Sequence, residues 1–238
     1  MPIDIPDYEP RFLAAVRSFW DVRANQAERQ RLEGKPDAGT RGAVTGGQHL
    51  NEVALLVADV FTDAGIHPMC NVRVLPGYYR ASKNWDVVVT YRGAIVAVIE
   101  LKSHVGSFAN NFNNRVEEMI GQSLDLWRAA REHLLGEIRP WFGYLMLLEP
   151  HERSRAVLRT PKAACPQDPE FKNTSYIDRY QIAFKRLLLE GDMNAVCLVT
   201  SDREQDFVTY PDRTMTFTSF AAAIHGRVAE VLAQLGRT

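Results

Sequence analysis

A chain of 238 residues with 46% hydrophobic content can bury one substantial core, and nothing in it requires a second domain. A net charge of −1 excludes a global basic field, so any hold on nucleic acid has to come from a localised groove of Arg and Lys. Cys70, Cys165 and Cys197 lie far apart without metal-ligand spacing, so neither a disulfide framework nor a zinc site is indicated. The start MPIDIPDYEP has acids and prolines where a secretion signal needs a basic and then an apolar stretch, and no run approaches ~18 apolar residues, so a soluble, cytoplasmic protein is expected.

Taken in order, residues 10–32 repeat apolar side chains at Phe12, Leu13, Val16, Phe19 and Trp20, three and four apart, which predicts an amphipathic helix in an N-terminal arm of about 6–34. Residues 34–47 hold five glycines and Pro36 and read as a long loop able to close over a ligand. Gln48 to Ala64 is a second helix, with Leu50, Val53, Ala54, Val57, Val60 and Phe61 on its stripe and Gly65 at its end. Met69 to Leu75 reads as a first strand, joined by PGYYRASKN to a pair of apolar runs. In that connection Tyr78, Tyr79, Arg80 and Lys83 mix aromatics with cations, a combination suited to gripping sugar and phosphate.

Trp85 to Lys102, WDVVVTYRGAIVAVIELK, organises the rest. Two apolar runs of strand length flank Arg92-Gly93-Ala94, which predicts a β-hairpin turning on those three residues. Antiparallel pairing then sets Asp86 across from Glu100, and the period of two puts Lys102 on the face of Glu100. Carboxylates facing each other at ~5 Å repel, which predicts a bound cation; Mg²⁺ fits, since it prefers oxygen ligands and is held by one or two carboxylates together with phosphate and water. Lys102 beside them could orient or deprotonate a water. The same spacing also occurs where a strand merely ends in a solvated Glu-x-Lys.

After Lys102, Asn110, Asn111, Asn113, Asn114 and Arg115 crowd around Phe112, and amide and guanidinium groups are the side chains that pair bidentately with adenine and guanine edges. The alternative is structural: Asn114 with Glu117 has the form of a helix-capping box. His104 is a candidate phosphate contact, with a structural hydrogen bond as the alternative. Residues 116–135 continue as a helix, and Trp141 to Leu148, almost uninterruptedly apolar, predicts a central strand buried on both faces. A connection over 149–170 carries Arg153, Arg155, Arg159 and Lys162, a basic cluster that reads equally as a solvated loop or a phosphate track. A helix over 174–190, a strand over 195–200 and a helix over 217–235 complete the chain.

The strings LPGYYR, WDVVV, SHVGSFANNFNNRVEEMIGQ and SYIDRY resemble the XhoI family of type II restriction endonucleases, most densely over 75–121. That resemblance implies an α/β fold with a PD-(D/E)xK core, a mixed central sheet flanked by helices, in one domain spanning 1–238 with its catalytic core at about 48–200. Asp86, Glu100 and Lys102 carry over as the catalytic set, with Asp86 and Glu100 as metal ligands, and Trp85 stands where the motif has its proline. The wider superfamily draws a further acid from the preceding helix, which makes Glu52 a candidate ligand. The implied function is Mg²⁺-dependent cutting of both strands of the palindrome CTCGAG to leave 5′ overhangs, by a homodimer paired with a DNA methyltransferase. Arg80, Lys83, His104, Asn110, Asn111, Asn113, Asn114 and Arg115 are the expected DNA contacts. Two alternatives share the core: a structure-selective or repair nuclease, and a non-catalytic DNA-binding protein.

Overall fold

The computed structural model describes residues 5–32, 48–68, 73–159 and 163–236. The expected glycine-rich loop at 34–47 and Lys162 of the basic cluster fall outside these residues. Helix α1 (Glu9–Leu32) and helix α2 (Asn51–Ala64), entered through a 3₁₀ turn at Gln48–Leu50, precede the strands. Gly65 closes α2 with a positive φ of 111° and returns its N–H to the Phe61 and Thr62 carbonyls, so the helix stops where its glycine requires.

Strands β1 (Val74–Pro76) and β2 (Ser82–Asn84) form a separate two-stranded antiparallel ribbon. The first strand expected at Met69–Leu75 therefore does not join the central sheet in its described part, and the connection after it holds a strand of its own. Strands β3 (Val87–Tyr91) and β4 (Ala94–His104) make the expected hairpin. Its turn differs from the three-residue expectation. Arg92 and Gly93 alone form it, with φ of 49° and 81°, the left-handed pair that suits a two-residue turn of right-handed twist. A bulge between Val89 and Thr90 leaves Val96 as the extra residue, so that Val87 again faces Ile99. The bulge thus restores the register that sets Asp86 beside the Glu100 end of β4.

Helix α3 (Phe108–Arg131) crosses to strand β5 (Trp141–Leu148), and a short helix α4 (Glu152–Arg155) and helix α5 (Tyr176–Leu189) lead to strand β6 (Ala195–Thr200) and the closing helix α6 (Phe217–Leu235). Ser175 and Asp178 cap α5 reciprocally, the pairing that its first-turn sequence allows. The central sheet runs β3-β4-β5-β6, with β3 antiparallel to β4 and β4, β5 and β6 parallel. Trp141 to Leu148 is buried along its whole length because helices cover both faces.

The two faces have separate cores. Val87, Val89, Ala97, Ile99 and Leu101 pack with α1, α2 and α6, whereas Val88 and Val98 pack with α3 and α5. Period two then sends Glu100, Lys102 and His104 to the α3 and α5 side. Among the described residues, no helix is long and apolar enough to cross a membrane.

Candidate active site

The β3–β4 hairpin and the β1–β2 ribbon converge at the carboxyl end of β4. Asp86 sits at the bend entering β3, and its Oδ2 accepts the Leu101 N–H at 2.7 Å, which pins the carboxylate across the strands. Burial, reinforced by the charge of Glu100, raises the Asp86 pKa above the ordinary carboxylate value; the Leu101 N–H, Lys102 and Lys83 oppose the shift without cancelling it.

Glu100 is 2% exposed and is held from three directions. Lys83 from β2 donates to its Oε2 at 2.6 Å, Lys102 donates to Oε1, and the Gln122 amide from α3 donates to Oε1 at 3.0 Å. Lys83 also lies over the Trp85 ring, 4.0 Å from its centroid, and burial pulls its pKa down while Glu100 pulls it up. The Lys83 and Lys102 side chains are only 11% and 23% exposed. Two acids and two lysines therefore share a largely desolvated pocket and balance in charge.

This arrangement corrects two expectations. Lys83 does not face outward as a phosphate grip but belongs to the acid cluster. The carboxylates also do not depend on a bound cation to coexist, because two ammonium groups from the chain already neutralise them. Glu52 lies exposed in the first turn of α2, and no group of three metal-ligating side chains forms among the described residues. A divalent ion is still compatible with the donor set. Asp86 and Glu100 offer hard carboxylate oxygens, the raised proton affinity of Asp86 marks a place that favours added positive charge, and Mg²⁺ takes few protein ligands.

The turn that delivers Lys83 is fastened to α3 through Asp125. Its Oδ1 accepts the Tyr78 and Tyr79 N–H groups at 2.9 and 2.8 Å, and its Oδ2 pairs with Arg80 Nε at 2.7 Å. Burial alone would raise the Asp125 pKa, but these hydrogen bonds outweigh it and hold the group below the ordinary carboxylate range. Gly77 is needed beside it, since a Cβ there would stand 2.6 Å from Asp125 Oδ2 and 2.8 Å from the Arg80 carbonyl. Arg80 is therefore partly structural, although its side chain remains 40% exposed.

Beyond Lys102, the asparagine-rich segment is helix rather than loop. Ser107 and Gly106 take positive φ values of 46° and 66°, and α3 begins at Phe108, so the expected Asn114–Glu117 capping box does not form. Asn113 and Asn114 are exposed in the first two turns, Asn111 is half-buried, and the Asn110 side chain lies outside the described residues. Arg115 pairs with Glu118 at 2.5 Å. His104 is corrected outright as a phosphate contact: it is 2% exposed, its Nδ1 meets the Tyr180 hydroxyl at 2.7 Å, and burial, aided by Arg115, lowers its pKa to about 4.

Gln122 and Asp125 were missed by sequence reasoning. Their signal was a pair of polar residues on the buried stripe that Met119, Leu126 and Ala129 define along α3.

A family model described as restriction endonuclease XhoI matches residues 29–210. The type II restriction enzyme XhoI of Xanthomonas vasicola is 38% identical over 200 residues, covering 80% of this chain and 79% of its own. The type II restriction enzyme BstVI of Geobacillus stearothermophilus is 42% identical over 179 residues, covering 71% and 80%. AbrI of Azospirillum brasilense, also a type II restriction enzyme, is 38% identical over 174 residues, covering 69% and 78%. No solved structure matches. With a family match that takes in the whole hairpin, its two flanking helices and the acid–lysine cluster, the chain belongs to the XhoI restriction endonuclease family.

Proposed function

We propose that this restriction endonuclease hydrolyses phosphodiesters in both strands of a palindromic duplex, CTCGAG, near the 5′ end of each strand so as to leave 5′ overhangs. The observation that carries the reading is the Asp86, Glu100 and Lys102 set at the end of the hairpin, with Lys102 Nζ on a Glu100 oxygen and Asp86 tied to the Leu101 N–H. The proposed core is that of the PD-(D/E)xK nucleases, in one domain over 1–238, with the β3–β4 hairpin as its catalytic element.

In this reading Asp86 and Glu100 hold Mg²⁺, which when bound lowers the pKa of a water and offsets charge on the scissile phosphate. Lys102, on the same strand face as Glu100, orients the attacking water or takes its proton. Gln122 fixes the Glu100 carboxylate in its rotamer, and Asp125 holds the turn that carries Arg80 toward the DNA backbone. Asn111, Asn113, Asn114 and Arg115 in the first turns of α3, with Asn110, read base edges beside the cut. Two such sites on a two-fold homodimer address the two strands of a symmetric duplex, and a companion methyltransferase protects the host sequence. Glu52 is left out of the proposed ligand set because it lies exposed on α2 and forms no group of three with the two acids among the described residues.

The direct test is metal dependence. Cleavage should stop in EDTA and return on adding Mg²⁺, and Asp86→Asn should not cut at any Mg²⁺ concentration. Cutting by that variant at the wild-type rate would remove Asp86 from the chemistry.

A further inference from the structure

Lys83 reads from the sequence as a residue of the DNA-facing surface and is instead enclosed in the acid cluster, where metal chemistry of the XhoI type gives it no evident task. Glu100 has two carboxylate oxygens. Oε1 already accepts from Lys102 and Gln122, and Oε2 accepts from Lys83 at 2.6 Å. Asp86 contributes one oxygen to the Leu101 N–H. A divalent ion that uses both acids has to take a Glu100 oxygen, and the one with a single partner is the one Lys83 covers.

We infer that Lys83 is a built-in substitute cation: its ammonium occupies the Glu100 Oε2 position of the metal site and withdraws when a divalent ion enters. The inference rests on the reading of Asp86 and Glu100 as the metal ligands. Three features of the lysine fit the role. It comes from the ribbon β2 rather than from the central sheet, so its backbone is not paired with β4, the strand that carries Glu100. Its side chain is 11% exposed and its ammonium lies 4.0 Å from the Trp85 ring centroid, so leaving Glu100 also shifts it across the π face, which the indole reports. The charge count also favours exchange: with both lysines in place the four groups are neutral, so a divalent ion entering without any lysine leaving would give a desolvated pocket a surplus of two positive charges. Lys102 keeps its place beside the reaction in this scheme, and Lys83 sets how readily the site loads.

The consequence is competition. If Oε2 is free about a tenth of the time, the apparent metal affinity is weakened about tenfold relative to a site without the lysine. Lys83→Met keeps the apolar stem against Trp85 and removes the ammonium. Mn²⁺ binding to the DNA-free protein, followed by electron paramagnetic resonance, should tighten about tenfold in this variant. In the wild type, Mg²⁺ should also change tryptophan emission, since the ammonium over Trp85 moves, and the change should be absent in Lys83→Met and in Trp85→Phe. Lys83→Gln serves as the second variant should Lys83→Met not fold. Mn²⁺ affinity that stays the same or weakens without the ammonium, or an emission change that persists in Lys83→Met, overturns the inference. Glu100→Gln separates this from failure of the underlying reading: if that variant binds Mn²⁺ as the wild type does, Glu100 is not a ligand at all and both fall together.

Discussion

Glu100→Gln should destabilise the metal-free protein, and by more than the loss of one ordinary hydrogen bond. Glutamine keeps the length and a carbonyl acceptor but removes the charge between Lys83 and Lys102, leaving two ammonium groups facing a neutral amide. Breaking a buried ion pair by removing one partner costs about 3–5 kcal/mol. Both ammonium groups can move off the amide, Lys102 toward water and Lys83 across the Trp85 ring, so the lower end of the range, about 3 kcal/mol, applies. For a chain of this size that is a fall in melting temperature of about 6–12 °C. Proton loss sets a ceiling: releasing the Lys83 proton at pH 7 from an ordinary value of 10.5 costs about 5 kcal/mol, and at pH 9 only about 2 kcal/mol. The deficit should therefore shrink as pH rises from 7 to 9. The assay is thermal and urea unfolding in EDTA, followed by circular dichroism, for the wild type, Glu100→Gln, Lys83→Met and the double variant. The double-mutant cycle should give a coupling of about 1.5 kcal/mol or more. Coupling under about 0.5 kcal/mol, or a deficit that does not change between pH 7 and 9, would refute the claim that Glu100 holds Lys83 in place by charge.

Asp86→Asn should do the opposite and stabilise the metal-free protein by about 2 °C or more in thermal melts, because it removes a charge that burial and Glu100 disfavour while keeping an acceptor for the Leu101 N–H. Lys102→Ala should retain DNA and metal binding yet slow single-turnover cleavage by ~10² or more; normal chemistry with weakened binding would make the lysine a phosphate contact only. Asp125→Ala should cost about 2–4 kcal/mol in urea unfolding, since it strands two backbone N–H groups and Arg80. As the Asp125 pKa is depressed in the folded state, that contribution is complete above the unfolded value near 3.8 and disappears as pH falls below it, so wild type and variant should converge in acid. Alanine at Asn113 or Arg115 should relax base preference by about 1–3 kcal/mol at symmetric positions of the site, measured by competitive cleavage of single-substitution duplexes.

The hairpin was legible because its constraints are local. A period of two, a positive-φ turn at Gly93 and the paired runs ahead of Asp86 and Glu100 together leave one register, and even the misjudged turn length was compensated by the bulge at Val96. The wholly apolar Trp141–Leu148 run announced a doubly covered strand for the same reason. What stayed hidden depends on distant packing. Nothing near Lys83 in sequence says that a short ribbon will fold it over Trp85 onto Glu100, and the string around Asn110–Arg115 carries turn-forming residues that read as loop until Phe112 is seen packed against Tyr180. His104 misled because its neighbour in sequence is Lys102; the strand alternation puts both on one face, but α5 covers only the far end, and Tyr180 closes over the imidazole. The polar stripe of Gln122 and Asp125 could have been recognised as anomalous on a buried helix face, but its partners, Glu100 and the Tyr78–Arg80 turn, become apparent only in three dimensions.

A mapped plasmid digest asks whether the Asp86, Glu100 and Lys102 cluster works as a sequence-specific, metal-dependent nuclease. Supercoiled plasmid carrying a single CTCGAG, incubated with the wild-type protein and Mg²⁺, should give one linear species with 5′ overhangs at that site, with none formed in EDTA or by Asp86→Asn. A smear of fragments, fragments ending at unrelated sequences, or equal cutting by Asp86→Asn would mean that this cluster is not a site-specific, metal-dependent cutting centre.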